Sequence, residues 1–285
     1  MADKNDINKI TSELTKGTKM IALVAPSFVI EFQYPKLITQ LRKLGFDKVT
    51  ELTFGAKLVN REYHKLLEKS TKKLIITTPC PGVVELIKKR YPKYKKNLAL
   101  VDSPVVAMAK VCKKYYPKHK TVFLSPCDYK KIEASKTKYI DYVVDYEQLH
   151  ELIKQNKLSK IKVPKKELFD KFYNDYTKIY PLSGGLAKTA KVKDILKKDE
   201  IKIIDGVKKI MKFLDNPDPK IKFLDVLFCD GGCIGGPRTT KKLSIPAKRK
   251  KVMDYLKKSS KKNVPEDRKG VYDKAKGLKF KKKSF

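Results

Sequence analysis

Residues 226–236 read VLFCDGGCIGG, an apolar run leading into two cysteines, Cys229 and Cys233, separated by three residues and wrapped in glycine. A C-x-x-x-C pair suits a disulfide, half of a zinc site, half of an iron–sulfur site, or two unrelated thiols. The chain has five cysteines in all, at irregular spacing, which does not fit a secreted disulfide framework. Two of the others repeat the same device. Cys80 follows the run LIITTP (74–79), and Cys127 follows VFLSP (122–126). The fifth, Cys112, lies mid-helix in VAMAKVCKKYY with apolar neighbours at helical spacing, and reads as a buried structural thiol.

Strands and helices alternate along the chain. Strands are expected at 20–26, 49–54, 74–82, 98–101, 121–127, 139–146 and 223–229. Helices are expected at 34–46, 57–70, 83–92, 103–117, 147–155, 165–178 and through IIDGVKKIMKFLD (203–215), with SGGLAKT (183–189) as a glycine loop. This alternation predicts an α/β fold with mostly parallel sheets flanked by helices. Ligands in such folds gather beyond the carboxyl ends of the strands, so Cys80, Cys127, Cys229 and Cys233 are expected to converge. Zinc prefers paired knuckles of short spacing, and only one such pair is present. Four thiolates from three loops also suit a 4Fe–4S cube. Spacing alone leaves cube, zinc and coincidence open.

At 285 residues and 41% hydrophobic content the chain can bury one large core or two lobes. No stretch approaches the roughly 18 uninterrupted apolar residues of a membrane span, and the first twenty residues lack a signal-peptide centre. A soluble cytoplasmic protein is expected. The net charge of +36 raises nucleic acid as a partner. The lysines, however, are spread over the outward faces of nearly every helix, and no zinc finger or RNP-type aromatic motif accompanies them. The reading therefore goes against nucleic acid and toward an acidic redox partner steered in by the field.

The residues around the cysteines carry a more specific message. TTPCPGVVELIKKRYP (77–92), SPCDYKKIEA (125–134) and CDGGCIGG (229–236) resemble, in order, the three signature motifs of the iron-only (FeFe) hydrogenases, in the domain that holds the H-cluster. IALVAPSF (21–28) resembles the family's opening strand and turn. The resemblance covers roughly residues 20–240. It implies two lobes, about 20–72 and 73–245, around a cleft, preceded by an extension at 1–19; composition reads the lysine-rich extension at 246–285 as a peripheral helix and loose tail. The strands within 22–54 would lie in the first lobe, and those ending at Cys80, Cys127 and Cys229 in the second. It implies a 4Fe–4S cube on Cys80, Cys127, Cys229 and Cys233, joined through Cys233 to a di-iron subsite bearing CO, cyanide and a dithiolate. Lys130 would face one cyanide, where a charge-assisted bond is strong. Ala25, Pro26 and Ser27 would line the subsite, and Gly231, Gly232, Gly235 and Gly236 would let the backbone approach the cluster.

Departures from the family pattern matter equally. Pro79 stands where fast members carry a proton-relaying cysteine. Lys57 and Asn60 occupy the region of an expected acidic relay residue, while Ser103 matches a serine of the same route. Ser125 and Leu227 replace methionines near the subsite, and the third motif ends in Pro237–Arg238 rather than more glycine. Proton transfer by a positioned acid is worth about 10²–10⁴ in rate, so a slow enzyme is expected, akin to the sensory or low-activity branches. No ferredoxin-like cysteine clusters precede residue 20, which implies a minimal form fed by an external carrier such as an acidic ferredoxin. Hydrogenase maturation proteins would be further partners. Two alternatives remain: an H2- or redox-sensing module with the same cofactor, and a relative working in iron–sulfur assembly.

Overall fold

The computed structural model describes residues 4–69, 73–260 and 263–285. The strands are β1 (Met20–Val24), β2 (Lys48–Glu51), β3 (Ile75–Ile76), β4 (Lys120–Ser125), β5 (Tyr142–Asp145), β6 (Ile201–Asp205) and β7 (Phe223–Leu227). The first helices are α1 (Lys4–Thr15), α2 (Lys36–Lys43), α3 (Thr53–Lys69), α4 (Pro81–Arg90) and α5 (Pro104–Tyr115). Then come α6 (Tyr129–Ser135), α7 (Tyr146–Gln155), α8 (Gly185–Thr189), α9 (Val207–Asp215) and α10 (Ile245–Ser260). Two sheets form, in the orders β2-β1-β4-β5 and β3-β7-β6. Every strand pair in them is parallel. The α/β expectation is met.

Strand alternation builds the layers, because successive side chains point to opposite faces. In β1, Ile21 and Leu23 enter a core shared with α3, α5 and the second sheet's Ile75 and Phe223. Met20, Ala22 and Val24 face the other way, into a core with α2, α7 and α10. The second sheet buries Ile76, Leu224 and Val226 against α4 and α9. Helices α3 and α5 therefore lie between the two sheets. Both central strands, MIALV and FLDVL, are buried along their whole length, as parallel strands covered on both faces must be.

Several expectations are corrected. Strand β4, expected in the same lobe as the strands ending at Cys80 and Cys229, pairs with β1 instead, so Cys127 leaves the first sheet rather than the second. The first sheet thus draws on both 20–51 and 120–145, and strand order follows packing rather than sequence order. The boundary expected near 70–75 falls partly on residues 70–72, outside the described residues. Residues 203–205 are not helical but belong to β6, and Gly206 (φ +92°) turns the chain into α9. That φ lies in a region that L side chains rarely adopt, so glycine suits this turn. SGGLAKT holds the short helix α8, and LALV (98–101) contributes only isolated bridges.

Residues 165–178 form no helix despite apolar spacing. Phe169 packs into the core beyond the first sheet and Phe172, at φ +63°, into the core between the sheets, and one helical face cannot serve both. The tail is not loose either. Phe280 is 1% exposed, Ala275 is 2% exposed, and Lys281 pairs with Val101.

Candidate metal centre

The carboxyl ends of β1, β2, β3, β4 and β7 all open toward one cavity of about 100 Å³. Cys80, Cys127 and Cys233 line it, together with Ala25, Pro26, Ser27 and Lys130. Cys80 is the residue before α4, with Pro81 in the first helical position, so the thiol meets the positive end of a ten-residue helix. Cys127 lies two residues beyond β4, its N–H bonded to Ser125 Oγ at 3.1 Å. Cys233 sits in a 3-10 turn after β7, its N–H donated to Pro181 O at 2.9 Å. Cys229 is not on the cavity wall, but its thiol feels both Cys80 and Cys127.

All five cysteines are free thiols. Burial pushes Cys127 up to about 11 and Cys229 up to about 12, and it raises Cys233 as well; the neighbouring sulfurs add to each shift. Free thiols replace the disulfide reading, and burial holds Cys127, Cys229 and Cys233 in their neutral form until a bound metal displaces their protons. Zinc would need sulfurs about 4 Å apart around one ion. Among the described residues, no three His, Cys, Asp or Glu side chains gather in that way. Three thiols lining one space, with a fourth near enough to feel two of them, are a donor set that a polynuclear cluster can use.

Two observations test whether such a group fits. Tyr180 lines the cavity, and its buried hydroxyl has no hydrogen-bond partner. An orphaned buried hydroxyl costs about 1–3 kcal/mol, so a bound acceptor is the natural completion. Lys130 is largely buried, and its Nζ donates to Pro79 O at 3.1 Å and to Glu133 Oε2 at 2.6 Å. Burial works against its charge, but Glu133 and the nearby Cys80 and Cys127 sulfurs outweigh it and hold the ammonium above the usual lysine range. A cation is thus fixed at the wall of a largely apolar space. The donor set and the orphan hydroxyl both fit an anionic iron–sulfur group.

Other expected site residues have different surroundings. Ser27 is fully buried, and its hydroxyl meets Tyr146 OH at 2.8 Å. Ser103 caps α5, accepting from Val106 N at 3.5 Å; its neighbours Pro104 and Val105, not Ser103, line the cavity. Gly231 and Gly232 are left-handed, at φ +78° and +79°, and a Cβ on either would strike protein: Ile245 for Gly231, Pro181 O and Leu227 for Gly232. Their bareness serves the packing of the loop. Lys57 donates to Gly270 O at 3.0 Å, and Asn60 Nδ2 to Thr189 Oγ1 at 2.9 Å, both away from the cavity.

The sequence reading passed over Tyr180 and Asp225. Asp225 carried a visible signal, a carboxylate inside the apolar strand FLDVL. It is 3% exposed, lines the cavity, and accepts from Ala187 N at 2.9 Å. Burial raises its carboxyl from 3.8 to about 6. The folded protein therefore binds this proton more tightly than the unfolded chain, and stability falls as pH rises from about 4 to 6, by about 3 kcal/mol in full. Asp225→Asn is expected to raise stability by that order at pH 8 and to change it little at pH 4, by urea denaturation. An equal effect at both pH values would contradict the assignment.

Residues 18–237 match the family model described as "Iron only hydrogenase large subunit, C-terminal domain". The chain belongs to the iron-only hydrogenase family. Iron hydrogenase 1 of Clostridium pasteurianum is 26% identical over 327 residues, covering 89% of this chain and 57% of its own length. The NADP-reducing hydrogenase subunit HndD of Solidesulfovibrio fructosivorans is also 26% identical, covering 70% of this chain and 44% of its own. The chain thus spans about half the length of these curated relatives. Among solved structures, a variant of the FeFe-hydrogenase HydA1 from Chlamydomonas reinhardtii superposes with a TM-score of 0.68 at 17% identity, covering 93% of this chain and 90% of that one. The apo form of another HydA1 variant gives 0.66 at 18%. These structural likenesses carry the hydrogenase fold. Among the described residues, no helix is long and apolar enough to cross a membrane.

Proposed function

We propose that this hydrogenase-family chain is an iron–sulfur oxidoreductase that interconverts H2 with protons and electrons, and does so slowly. The observation that carries the reading is the single cavity walled by Cys80, Cys127, Cys233, Lys130 and the orphan Tyr180 hydroxyl. Cys80, Cys127, Cys229 and Cys233 would hold a 4Fe–4S cube, with Cys233 shared by a di-iron subsite. When bound, this H-cluster supplies the redox-active metal at which H2 is made or split. Lys130 would give a charge-assisted hydrogen bond to an anionic ligand of that group, strengthened by the scarcity of water around it. Ala25, Pro26 and Leu227 exclude solvent. An acidic one-electron carrier, such as a ferredoxin, is the partner that suits a net charge of +36. Maturation proteins would install the di-iron part.

Pro79 has no side-chain proton to give, and it lines the cavity beside Cys80. Matured protein supplied with a reduced one-electron carrier should evolve H2, but slowly. Pro79→Cys should raise the rate by up to about 10²-fold, the lower end for a positioned acid. The bond from Lys130 goes to the Pro79 carbonyl and so survives the exchange. Cluster iron must be measured alongside, since losing proline frees the loop's φ. Wild-type rates equal to those of relay-containing relatives would refute the assigned role of Pro79.

A further inference from the structure

The strand-end residue Glu51 and the loop residue Lys178 form an ion pair with almost no solvent contact. Glu51 is 2% exposed and Lys178 0%, and Lys178 Nζ lies 2.5 Å from Glu51 Oε2. A pair this deep brings little net stability, because desolvation consumes most of the attraction. Its connections are more informative than its energy. On one side Thr53, which lines the cysteine cavity, donates its hydroxyl to the same Glu51 Oε2 at 3.3 Å. On the other side Lys178 Nζ lies 3.2 Å from Asp175 Oδ1, and the Asp175 side chain is 31% exposed. Tyr255 OH, from α10, donates to the other carboxylate oxygen, Oε1, at 2.6 Å. That leaves Oε2 as the oxygen shared by Thr53 and Lys178.

We propose that Asp175, Lys178, Glu51 and Thr53 form a proton route from solvent to the cavity. This inference rests on the hydrogenase reading above. Asp175 takes a proton from water. Lys178 gives one of its ammonium protons to Glu51 and is refilled from Asp175. Once protonated, Glu51 becomes the donor to Thr53 Oγ1, and the Thr53 hydrogen, which pointed at Glu51, turns toward the cavity and leaves to the proton-accepting group of the H2 chemistry there as the Glu51 proton arrives. Each side chain returns to its starting state, and one proton has moved inward; the reverse order moves one out. Groups facing this line include the Ser259 hydroxyl, which donates to the same Asp175 Oδ1 at 3.1 Å, the phenol of Tyr255, which accepts from Lys178 Nζ at 3.3 Å, the Tyr255 and Tyr173 rings, which Lys178 overlies at 4.8 and 4.9 Å, and Tyr34, whose hydroxyl meets that of Tyr173 at 2.8 Å. A pair that only fastened α10 to the first sheet would need no hydroxyl leading to the cavity.

The test uses matured full-length protein and infrared spectroscopy of its CO and cyanide bands, following the rate at which they respond to a pH jump. Thr53→Val removes the hydroxyl at nearly constant shape and should slow that response by about 10²-fold, the scale of a lost positioned proton carrier. Thr53→Ser should restore it. Asp175→Asn should slow it as well. Band positions at equilibrium should be the same in all four proteins, which shows the cofactor intact. An unchanged rate in Thr53→Val with intact bands would overturn the route alone. Wild-type protein without such bands would overturn the hydrogenase reading, and the route with it.

Discussion

Serine in place of Cys80, Cys127, Cys229 or Cys233, one at a time, should remove most of the protein-bound iron, whereas Cys112→Ser should retain the wild-type content. Iron is held by thiolate, and a serine hydroxyl stays protonated at neutral pH, so each change removes one of four ligands. Cys112 is the control. It is 0% exposed in α5, its thiol meets Thr50 Oγ1 at 3.8 Å, and burial pushes that thiol up to about 12. Iron analysis and the visible absorption of the anaerobically reconstituted protein check the result. Equal loss for Cys112 and Cys127 would contradict the ligand assignment.

Lys178→Met should cost about 3–5 kcal/mol of folding stability, because it leaves Glu51 buried without its cation. Burial already raises the Glu51 carboxyl, and Lys178 acts against that rise. The remaining Thr53 and Tyr255 hydroxyls are neutral donors and cannot replace a charge. The penalty should shrink as pH falls, since a Glu51 carboxyl raised still further is neutralised by protonation. Adding Glu51→Leu to Lys178→Met should recover much of the loss, because no charge is then left buried. Urea denaturation of the two variants measures both effects. A double variant no more stable than Lys178→Met would show that the pair's value lies in its hydrogen bonds to α10 and Asp175 rather than in charge balance.

The parts of the site that the sequence revealed are those carried by local signals. Apolar runs that stop at proline and cysteine mark strand ends, and a parallel fold puts strand ends on one side. Cys80, Cys127 and Cys233 reach the same cavity for that reason. Lys130 was legible only through its spacing from Cys127. Signals that depend on distant contacts were not readable. Nothing in TVFLSPC says that β4 must pair with β1. Phe169 and Phe172 keep helical spacing yet are claimed by opposite cores. Lys178 is one lysine of very many, and only burial against Glu51 distinguishes it. Tyr180 stands out through a missing hydrogen bond, a property no sequence displays. The lysine-rich tail was read from composition as loose, but Phe280 anchors it within the core between the sheets.

The central claim is that the cavity lined by Cys80, Cys127, Cys233 and Lys130 holds a cube joined to a di-iron subsite. Infrared spectroscopy of protein purified anaerobically after co-expression with hydrogenase maturation enzymes tests it directly, since CO and cyanide bound to iron absorb where the polypeptide does not. The account predicts sharp CO and cyanide bands in the wild type, their loss in Cys233→Ser, and a shifted cyanide band in Lys130→Met, where the charge-assisted bond is gone. A wild-type protein that carries four irons and a cube but shows no CO or cyanide band after maturation would contradict it.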